Sequence, residues 1–103
     1  MLPELSDQDR TWYILKGYNI TINCYDAREW RLNSKLYHRE DGPAYESASG
    51  SRHWFLNGER HREDGPAIEW ADGTREWYLN GIPMTEEEHR KAVQKMKIQN
   101  GTA

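Results

Sequence analysis

The chain has 103 residues and a mass of 12.2 kDa, which predicts one small domain over residues 1–103. Hydrophobic residues make up 36% and the mean hydropathy is −1.09, so the composition excludes a thick aliphatic core. Five tryptophans and six tyrosines can instead bury large apolar areas, which favours a thin sheet. The formal net charge is −3 with both signs interspersed. A nucleic-acid surface usually carries a basic stripe, so we expect no nucleic-acid partner.

The start of the chain lacks the pattern of a secretory signal, and no apolar run reaches the roughly 18 residues needed to cross a bilayer. The single cysteine, Cys24, cannot form an internal disulfide. It lies in an alternating segment, Tyr18 to Tyr25, which predicts a strand with a buried structural thiol. We therefore expect a cytoplasmic protein that makes no contact with a membrane.

Residues 1–27 resemble the rest of the chain only weakly. Thr11 to Leu15 follows the Trp-Tyr-x-Leu pattern of later segments and is therefore expected to form a strand. Repeat proteins need an atypical unit to close each exposed end. These residues are predicted to be divergent N-terminal capping strands.

A duplicated heptapeptide dominates the remainder. The sequence His-Arg-Glu-Asp-Gly-Pro-Ala, the HREDGPA motif, occurs at 38–44 and again at 61–67. The same offset of 23 residues relates Trp54 to Trp77. A fixed offset that preserves motifs and aromatics together indicates a stacked repeat, here assigned to residues 28–83.

The first copy begins at Trp30 and is less regular. It contains one extra residue near Ser34, which predicts a longer loop or a bulge. Equivalent side chains of stacked units lie above one another, so Trp30, Trp54 and Trp77 are expected to form a stabilising ladder.

Tight turns separate short segments with a period of two. Asn-Gly and related pairs accept the positive φ values of type I′ hairpin turns, and four such pairs are assigned to them: Ser49-Gly50, Asn57-Gly58, Asp72-Gly73 and Asn80-Gly81. Asp-Gly-Pro makes a different corner, because proline fixes its own φ and directs the preceding glycine away from helix. Its residues are Asp41, Gly42, Pro43, Asp64, Gly65 and Pro66. The fold class is therefore mainly β, a meander of short antiparallel hairpins built from 23-residue repeats.

The C-terminal segment is predicted to be an α-helix, assigned to residues 85–98. Thr85 followed by Glu88 forms a capping box, so the helix is expected to begin at about Glu86. It should cover the last strand edge or one face of the sheet.

The repeat resembles MORN-type repeats, especially their variant form. The resemblance lies in Trp-Tyr-Leu-Asn-Gly, His-Arg-x-Asp-Gly-Pro-Ala and Asp-Gly-Thr-x-x-Trp-Tyr, and it covers roughly Arg28 to Pro83. It is similar to small repeat proteins common in bacteriophage genomes. The resemblance implies a binding or scaffolding module, and some variant members have been labelled antitoxin components.

Two candidate sites follow from the motif. His38, His61, Asp41 and Asp64 could hold a metal or perform acid–base chemistry. The alternative interpretation, which we favour, is structural: each Asp caps backbone amides of a corner, and a whole repeat is copied for structural reasons. No catalytic residue, metal site or cofactor is assigned.

An arginine-rich and aromatic face is the second candidate, able to bind a phosphate-bearing ligand, a nucleotide or single-stranded nucleic acid through stacking and charge. Its residues are Arg39, Arg52, His53, Arg62, Arg75 and Tyr78. The alternative is a solvated face with cross-strand pairs such as Arg62 with Glu69 or Glu76.

The sequence thus favours a non-catalytic protein-binding repeat module. The resemblance implies a phage accessory protein in the host cytoplasm that binds and inhibits a host protein, for example as an anti-defence or anti-CRISPR inhibitor. Three alternatives stay open: a small-molecule or nucleotide sink, an antitoxin-like component and a metal-dependent hydrolase. Exposed edges and aromatics would also allow a homodimer.

Overall fold

A computed structural model describes residues 5–33 and 35–101 of the chain. In these ranges an antiparallel meander lies between two helices, so the expected fold class is confirmed. Its elements are α1 (Asp7–Leu15), β1 (Tyr18–Ile22), β2 (Arg28–Leu32), β3 (Leu36–Tyr37), β4 (Tyr45–Glu46), β5 (Arg52–His53), β6 (Phe55–Leu56), β7 (Glu59–Arg60), β8 (Ile68–Glu69), β9 (Arg75–Leu79), β10 (Ile82–Met84) and α2 (Glu86–Gly101).

The main sheet has eight strands in the order β1-β2-β4-β5-β8-β9-β10, with β3 also paired to β2. Strands β6 and β7 form a separate hairpin. Every described strand pair is antiparallel. Each repeat therefore adds strands beside those of the preceding repeat, which places equivalent residues at equivalent positions along the sheet.

The Asn-Gly turns have the predicted geometry. Asn57 and Gly58 have φ values of 52° and 83°, and Asn80 and Gly81 have 51° and 81°. Positive φ at both central residues defines a type I′ turn. Ser49-Gly50 and Asp72-Gly73 differ, because only their glycines have positive φ, 105° and 93°. The type I′ assignment of these two pairs was wrong.

Helix α1 replaces the strand expected at Thr11 to Leu15. The Ser6 side chain accepts a hydrogen bond from the Asp9 backbone N–H at 3.1 Å, which starts the helix at Asp7. The helix packs against β1, so the N-terminal end is closed by a helix and one strand. Ser34, at the centre of the predicted longer loop, lies outside the described residues.

Helix α2 begins where the capping box predicts. Thr85 N–H donates to Glu88 Oε1 at 2.9 Å, and Glu88 N–H donates to Thr85 Oγ1 at 3.1 Å. The helix extends to Gly101, three residues beyond the predicted end. It packs against β9 and buries Val93.

The densest apolar packing lies near the first repeat. Trp30 is completely buried and packs with Tyr18 and Ala44. Cys24 is exposed, because the chain leaves β1 at Ile22 and enters a turn, so the prediction of a buried thiol was wrong. Across the described part of the chain, neither helix is apolar enough over a sufficient length to traverse a bilayer.

Candidate functional site

The tryptophan face is the side of the sheet that carries Trp30, Trp54 and Trp77. No ring contact among the described residues joins one of these indoles to another, so the predicted indole ladder was wrong. A guanidinium lies over two of them instead: Arg39 Cζ is 3.7 Å from the ring centroid of Trp30, and Arg62 Cζ is 3.8 Å from that of Trp54. These are cation–π contacts supplied by the HREDGPA motif.

The same arginines hold the Asp-Gly-Pro corner. Arg39 Nε donates to Asp41 Oδ1 at 3.0 Å, and its Nη1 donates to the Pro43 carbonyl at 3.2 Å. In the second motif, Arg62 donates to Asp64 Oδ1 at 3.0 Å and to the Pro66 carbonyl at 3.1 Å. The aspartates thus bind the motif's own arginine, where the sequence led us to expect backbone amides.

Each motif histidine connects one repeat to the next. His38 Nδ1 accepts from the Asn57 N–H at 2.9 Å, and His61 Nδ1 accepts from the Asn80 N–H at 3.0 Å. Both rings are buried. The bonds fix the type I′ turns to the preceding motif. Among the described residues no group of three or more His, Cys, Asp or Glu side chains could hold a metal ion.

Three equivalent clefts, here called the first, middle and last slots, follow one another along the tryptophan face. Leu32, His38 and Asp41 of the first slot correspond to Leu56, His61 and Asp64 of the middle slot. Trp54 of the middle slot corresponds to Trp77 of the last slot. Their volumes are about 350, 520 and 430 Å³.

Helix α1 supplies a tyrosine to the first repeat. The Tyr13 ring meets Trp30 edge-on, with centroids 4.5 Å apart, and its hydroxyl donates to Asp41 Oδ2 at 2.6 Å. Trp12 of the same helix and Lys16, its C-cap residue, line the first slot. Burial opposes ionisation of Asp41, but the hydrogen bonds from Tyr13 and Arg39 outweigh it and lower the pKa of this carboxyl.

Helix α2 borders the last slot. His89 Nε2 forms a hydrogen bond to the Arg62 carbonyl, at 2.5 Å, so the helix is attached to the second HREDGPA motif. His89, Arg90, Val93 and Lys97 line this cleft opposite Glu63 and Asp64.

The middle slot is bordered by the two HREDGPA motifs, and neither α1 nor α2 lines it within the described residues. Trp54 is partly exposed, whereas Trp30 is 0% exposed. The side chain of Asp64 is 86% exposed, compared with 53% for its equivalent Asp41. Trp30 and Asp41 are less exposed than Trp54 and Asp64 because Tyr13 packs on Trp30 and its hydroxyl donates to Asp41.

The rim of the middle slot is acidic. Four carboxylates line it, those of Glu40, Asp41, Glu63 and Asp64. The two arginines of the slot are already paired, because Arg39 also reaches Glu46 at 3.5 Å and Arg62 reaches Glu69 at 3.3 Å. The slot therefore presents net negative charge around an aromatic floor.

The structure divides the predicted arginine face. Arg39 and Arg62 lie on the tryptophan face, in a network with Glu46 and Glu69. Arg52 lies directly opposite Glu46 and Glu69 in the neighbouring strands, and Arg75 lies opposite Glu69. Residues that lie opposite one another share a face, so Arg52 and Arg75 are also on the tryptophan face. The pair expected under the alternative interpretation, Arg62 with Glu69, is present. His53 and Tyr78 lie on the opposite face.

On that opposite face lies an aromatic cleft of about 420 Å³, lined by Tyr37, Tyr45, Ser47, Ser49, Ser51, His53, Phe55, Arg60 and Trp70. The His53 ring meets Tyr45 edge-on at 5.4 Å and Trp70 at 5.1 Å. Burial lowers the pKa of His53, and the charge of Arg60 lowers it further, whereas Glu76 partly opposes both.

Arg60 is a site residue that we did not identify from the sequence. Its guanidinium lies 5.3 Å from the Phe55 ring, and its buried Nε has no hydrogen-bond partner among the described residues. A comparison of the repeats could have drawn attention to this cleft, because the following repeat has a carboxylate, Glu76, at the position that His53 occupies here. In the middle repeat the arginine therefore lies beside an imidazole.

Tyr13, which contacts Trp30 and Asp41, and Leu56, which lines the middle slot, were also missed. Tyr13 comes from a helix that we had predicted as a strand, and nothing in its local pattern indicates a contact with Asp41, 28 residues away. Leu56 is related to Leu32 by the same register as Trp54 to Trp30, so the repeat itself could have identified it.

No protein-family model matches the chain, and no curated protein or solved structure matches it. The likeness to MORN-type repeats remains an interpretation of the sequence pattern. Function must be inferred from the geometry of this chain.

Proposed function

We propose that this chain is a non-catalytic protein-binding repeat module and that the middle slot is its docking surface. One observation carries the proposal. The face has three equivalent slots, and the two end slots are bordered by helices of the chain itself. Among the described residues, the middle slot is lined by the two HREDGPA motifs with Trp54 and Leu56, and by no helix. A surface that receives helices at both ends is suited to receive one from a partner in the middle.

The chemistry of the middle slot supports binding over catalysis. Trp54 supplies a partly exposed aromatic floor held by Arg62, and buried tryptophan and arginine dominate binding energy at many interfaces. The titratable groups have structural partners, since His61 Nδ1 accepts from Asn80 and Asp64 pairs with Arg62. The His61 imidazole, the side chain that most often acts as a general base, thus has its Nδ1 acceptor occupied by a backbone N–H.

The finer form of the proposal rests on the resemblance. A phage accessory protein would use this surface to bind and inhibit a host protein, for example a component of a defence system.

The test is affinity capture from a bacterial lysate with three forms of the immobilised protein: wild type, Glu63→Lys and Glu59→Lys. Glu63 is on the rim that the middle slot shares with the last slot, which α2 borders, whereas Glu59 is an exposed carboxylate that lines neither. Both variants change the charge equally. We expect a specific protein to be retained by wild type and Glu59→Lys and lost by Glu63→Lys. Equal capture by all three would exclude the middle slot, and absence of any specific protein would contradict the proposed function.

A second candidate function, binding of an anionic aromatic small molecule such as a nucleotide, is favoured by the aromatic cleft. Its Arg60 lacks an ion-pair partner among the described residues and lies among rings on which a base could stack. A thermal-shift screen with nucleotides tests it. A ligand at about 100 times its dissociation constant should stabilise the protein by about 2.7 kcal/mol. The increase in Tm should disappear in Arg60→Gln and persist in Arg52→Gln, which removes an exposed arginine outside the cleft.

A further inference from the structure

We propose that the middle slot accepts a tyrosine side chain, followed by a lysine or arginine, presented by a helix of a partner protein. This inference rests on the proposed function, because it specifies the chemistry of the partner at the same surface. The observation behind it is that the first repeat already binds such a helix within the chain.

Helix α1 shows what the tryptophan face accepts. Tyr13 packs edge-on against Trp30 at 4.5 Å, lies 5.8 Å from the guanidinium carbon of Arg39 and donates its hydroxyl proton to Asp41 Oδ2 at 2.6 Å. The phenol therefore uses both the aromatic floor and the motif carboxylate. A hydrogen bond to an ionised acceptor is among the stronger ones in proteins.

The middle repeat contains the same receptor. Arg62 lies over Trp54 at 3.8 Å, against 3.7 Å for Arg39 over Trp30, and both arginines donate to Oδ1 of their aspartate at 3.0 Å. The second oxygen, Oδ2 of Asp64, has no hydrogen-bond partner among the described residues. A tyrosine ring placed against Trp54 as Tyr13 is placed against Trp30 would present its hydroxyl to that oxygen.

The charges around the slots indicate which other residues the partner helix should carry. Cations lie at both end slots: Lys16, the C-cap residue of α1, lines the first slot, and Arg90 and Lys97 of α2 line the last. The middle slot has motif carboxylates at its rim, including Glu40 and Glu63. Lys16, the C-cap residue of α1, follows Tyr13 by three positions, so the two side chains are neighbours at the end of the helix. The partner helix should carry Lys or Arg three or four residues after its tyrosine.

The probe is a fluorescently labelled synthetic peptide with the sequence of residues 6–17 of this chain, titrated into the full-length protein and followed by anisotropy. We expect saturable binding with one site. Replacing the peptide tyrosine with phenylalanine should weaken binding by about tenfold or more, because it removes one hydrogen bond to a charged acceptor. In the full-length protein, Asp64→Asn should weaken binding of the unmodified peptide to a similar extent, since the amide retains a group for Arg62 but not two acceptor oxygens.

Asp72→Asn is the matched control, because it makes the same change at an exposed aspartate that lines none of the three slots. Unchanged binding by Asp72→Asn, together with the loss in Asp64→Asn, supports the middle slot. A larger loss in Asp41→Asn than in Asp64→Asn would show that the peptide exchanges with α1 in the first repeat and would overturn the inference. Concentration-dependent self-association of the unliganded protein that is abolished by Asp64→Asn would assign the slot to a second copy and would also overturn it.

Failure of this inference is separable from failure of the proposed function. If the peptide does not bind while Glu63→Lys still abolishes capture of a partner, the tyrosine assignment is wrong and protein binding at the slot stands. If capture is also independent of Glu63, both proposals are wrong.

Discussion

Arg62 makes four distinct contacts with one guanidinium, to Trp54, Asp64, the Pro66 carbonyl and Glu69. It lies so close to the corner that a Cβ at Gly65 would be 2.9 Å from its Cζ. The equivalent distance from Gly42 to Arg39 is 2.8 Å. The glycine of the motif is therefore needed for space, since its φ lies outside the left-handed region.

Gly65→Ala should destabilise the protein by about 1–2 kcal/mol, because it displaces Arg62 from its hydrogen bonds. Urea denaturation measures the change. The same substitution in an Arg62→Ala background should cost clearly less, because the side chain that it displaces is gone. Additive effects of the two substitutions would contradict this explanation.

His61 is required as a hydrogen-bond acceptor for the next turn. His61→Leu should cost about 1–2 kcal/mol, because the Asn80 N–H loses its partner at 3.0 Å. His61→Asn keeps an acceptor at the corresponding side-chain position and should recover part of the loss. Thermal unfolding of the two variants provides the comparison, and equal loss in both would indicate that ring packing is the important contribution.

His53 should make stability depend on pH. Its pKa in the folded protein is lowered from 6.5 by burial and by Arg60, so the unfolded chain binds the proton more readily. Stability is therefore retained above about pH 6.5 and falls as the pH decreases from there through the lower folded-state pKa. His53→Gln should flatten this part of the curve, measured as the free energy of unfolding at about pH 7.5 and about pH 5.5. An unchanged slope would exclude His53 as its source.

Among the elements, α1 has the largest effect on the surface of the sheet. It packs against β1 and places Tyr13 over Trp30. The segment Thr11 to Leu15 contains the aromatic and β-branched residues that favour strands. The cap at Ser6, with Asp9 three residues later, and the contact with the sheet outweigh that preference.

Tyr13→Ala should expose Trp30, because the aromatic ring that covers it is removed. We expect faster acrylamide quenching and a red shift of tryptophan fluorescence relative to wild type. The background must carry Trp12→Phe and Trp70→Phe, since both indoles are exposed and would be quenched in wild type as well. Ile14→Ala serves as the control, because Ile14 is on the same helix and faces solvent. Identical quenching in Tyr13→Ala and Ile14→Ala would show that α1 does not protect the indole.

At the scale of the whole molecule, the sheet is built so that further copies of the repeat could be added to it. Strands follow one another along the sheet with antiparallel neighbours, and each motif is bonded to the turn of the next repeat through its histidine. The stability of such arrays is approximately a sum of units and their interfaces.

Inserting a second copy of residues 38–60 after Arg60 should therefore give a folded protein with one more slot. The urea m-value should rise by about a fifth, in proportion to the added surface, and the unfolding midpoint should not fall. Far-UV circular dichroism during denaturation measures both. A lower m-value or a second transition would show that the repeats do not form one cooperative unit.

Much of this architecture is local enough to follow from the sequence. The two Asn-Gly turns need positive φ at both positions, and the Thr85–Glu88 box satisfies its own backbone groups, so each can be predicted from adjacent residues. The 23-residue offset likewise determined that equivalent residues share a face. The site was only partly predictable, since Arg39 and Arg62 were identified but their tryptophan partners were not.

The sequence alone determined the repeat, its Asn-Gly corners and the capped C-terminal helix, because these depend on backbone requirements and hydrogen bonds within a few residues. Only the tertiary structure decided which repeat is covered. Tyr13 reaches Asp41 across 28 residues, and no helix of the described chain makes the same contact with Asp64. The two identical motifs thus differ in solvent exposure because α1 packs against the first motif and not against the second. The sequence of the motif itself does not encode this difference.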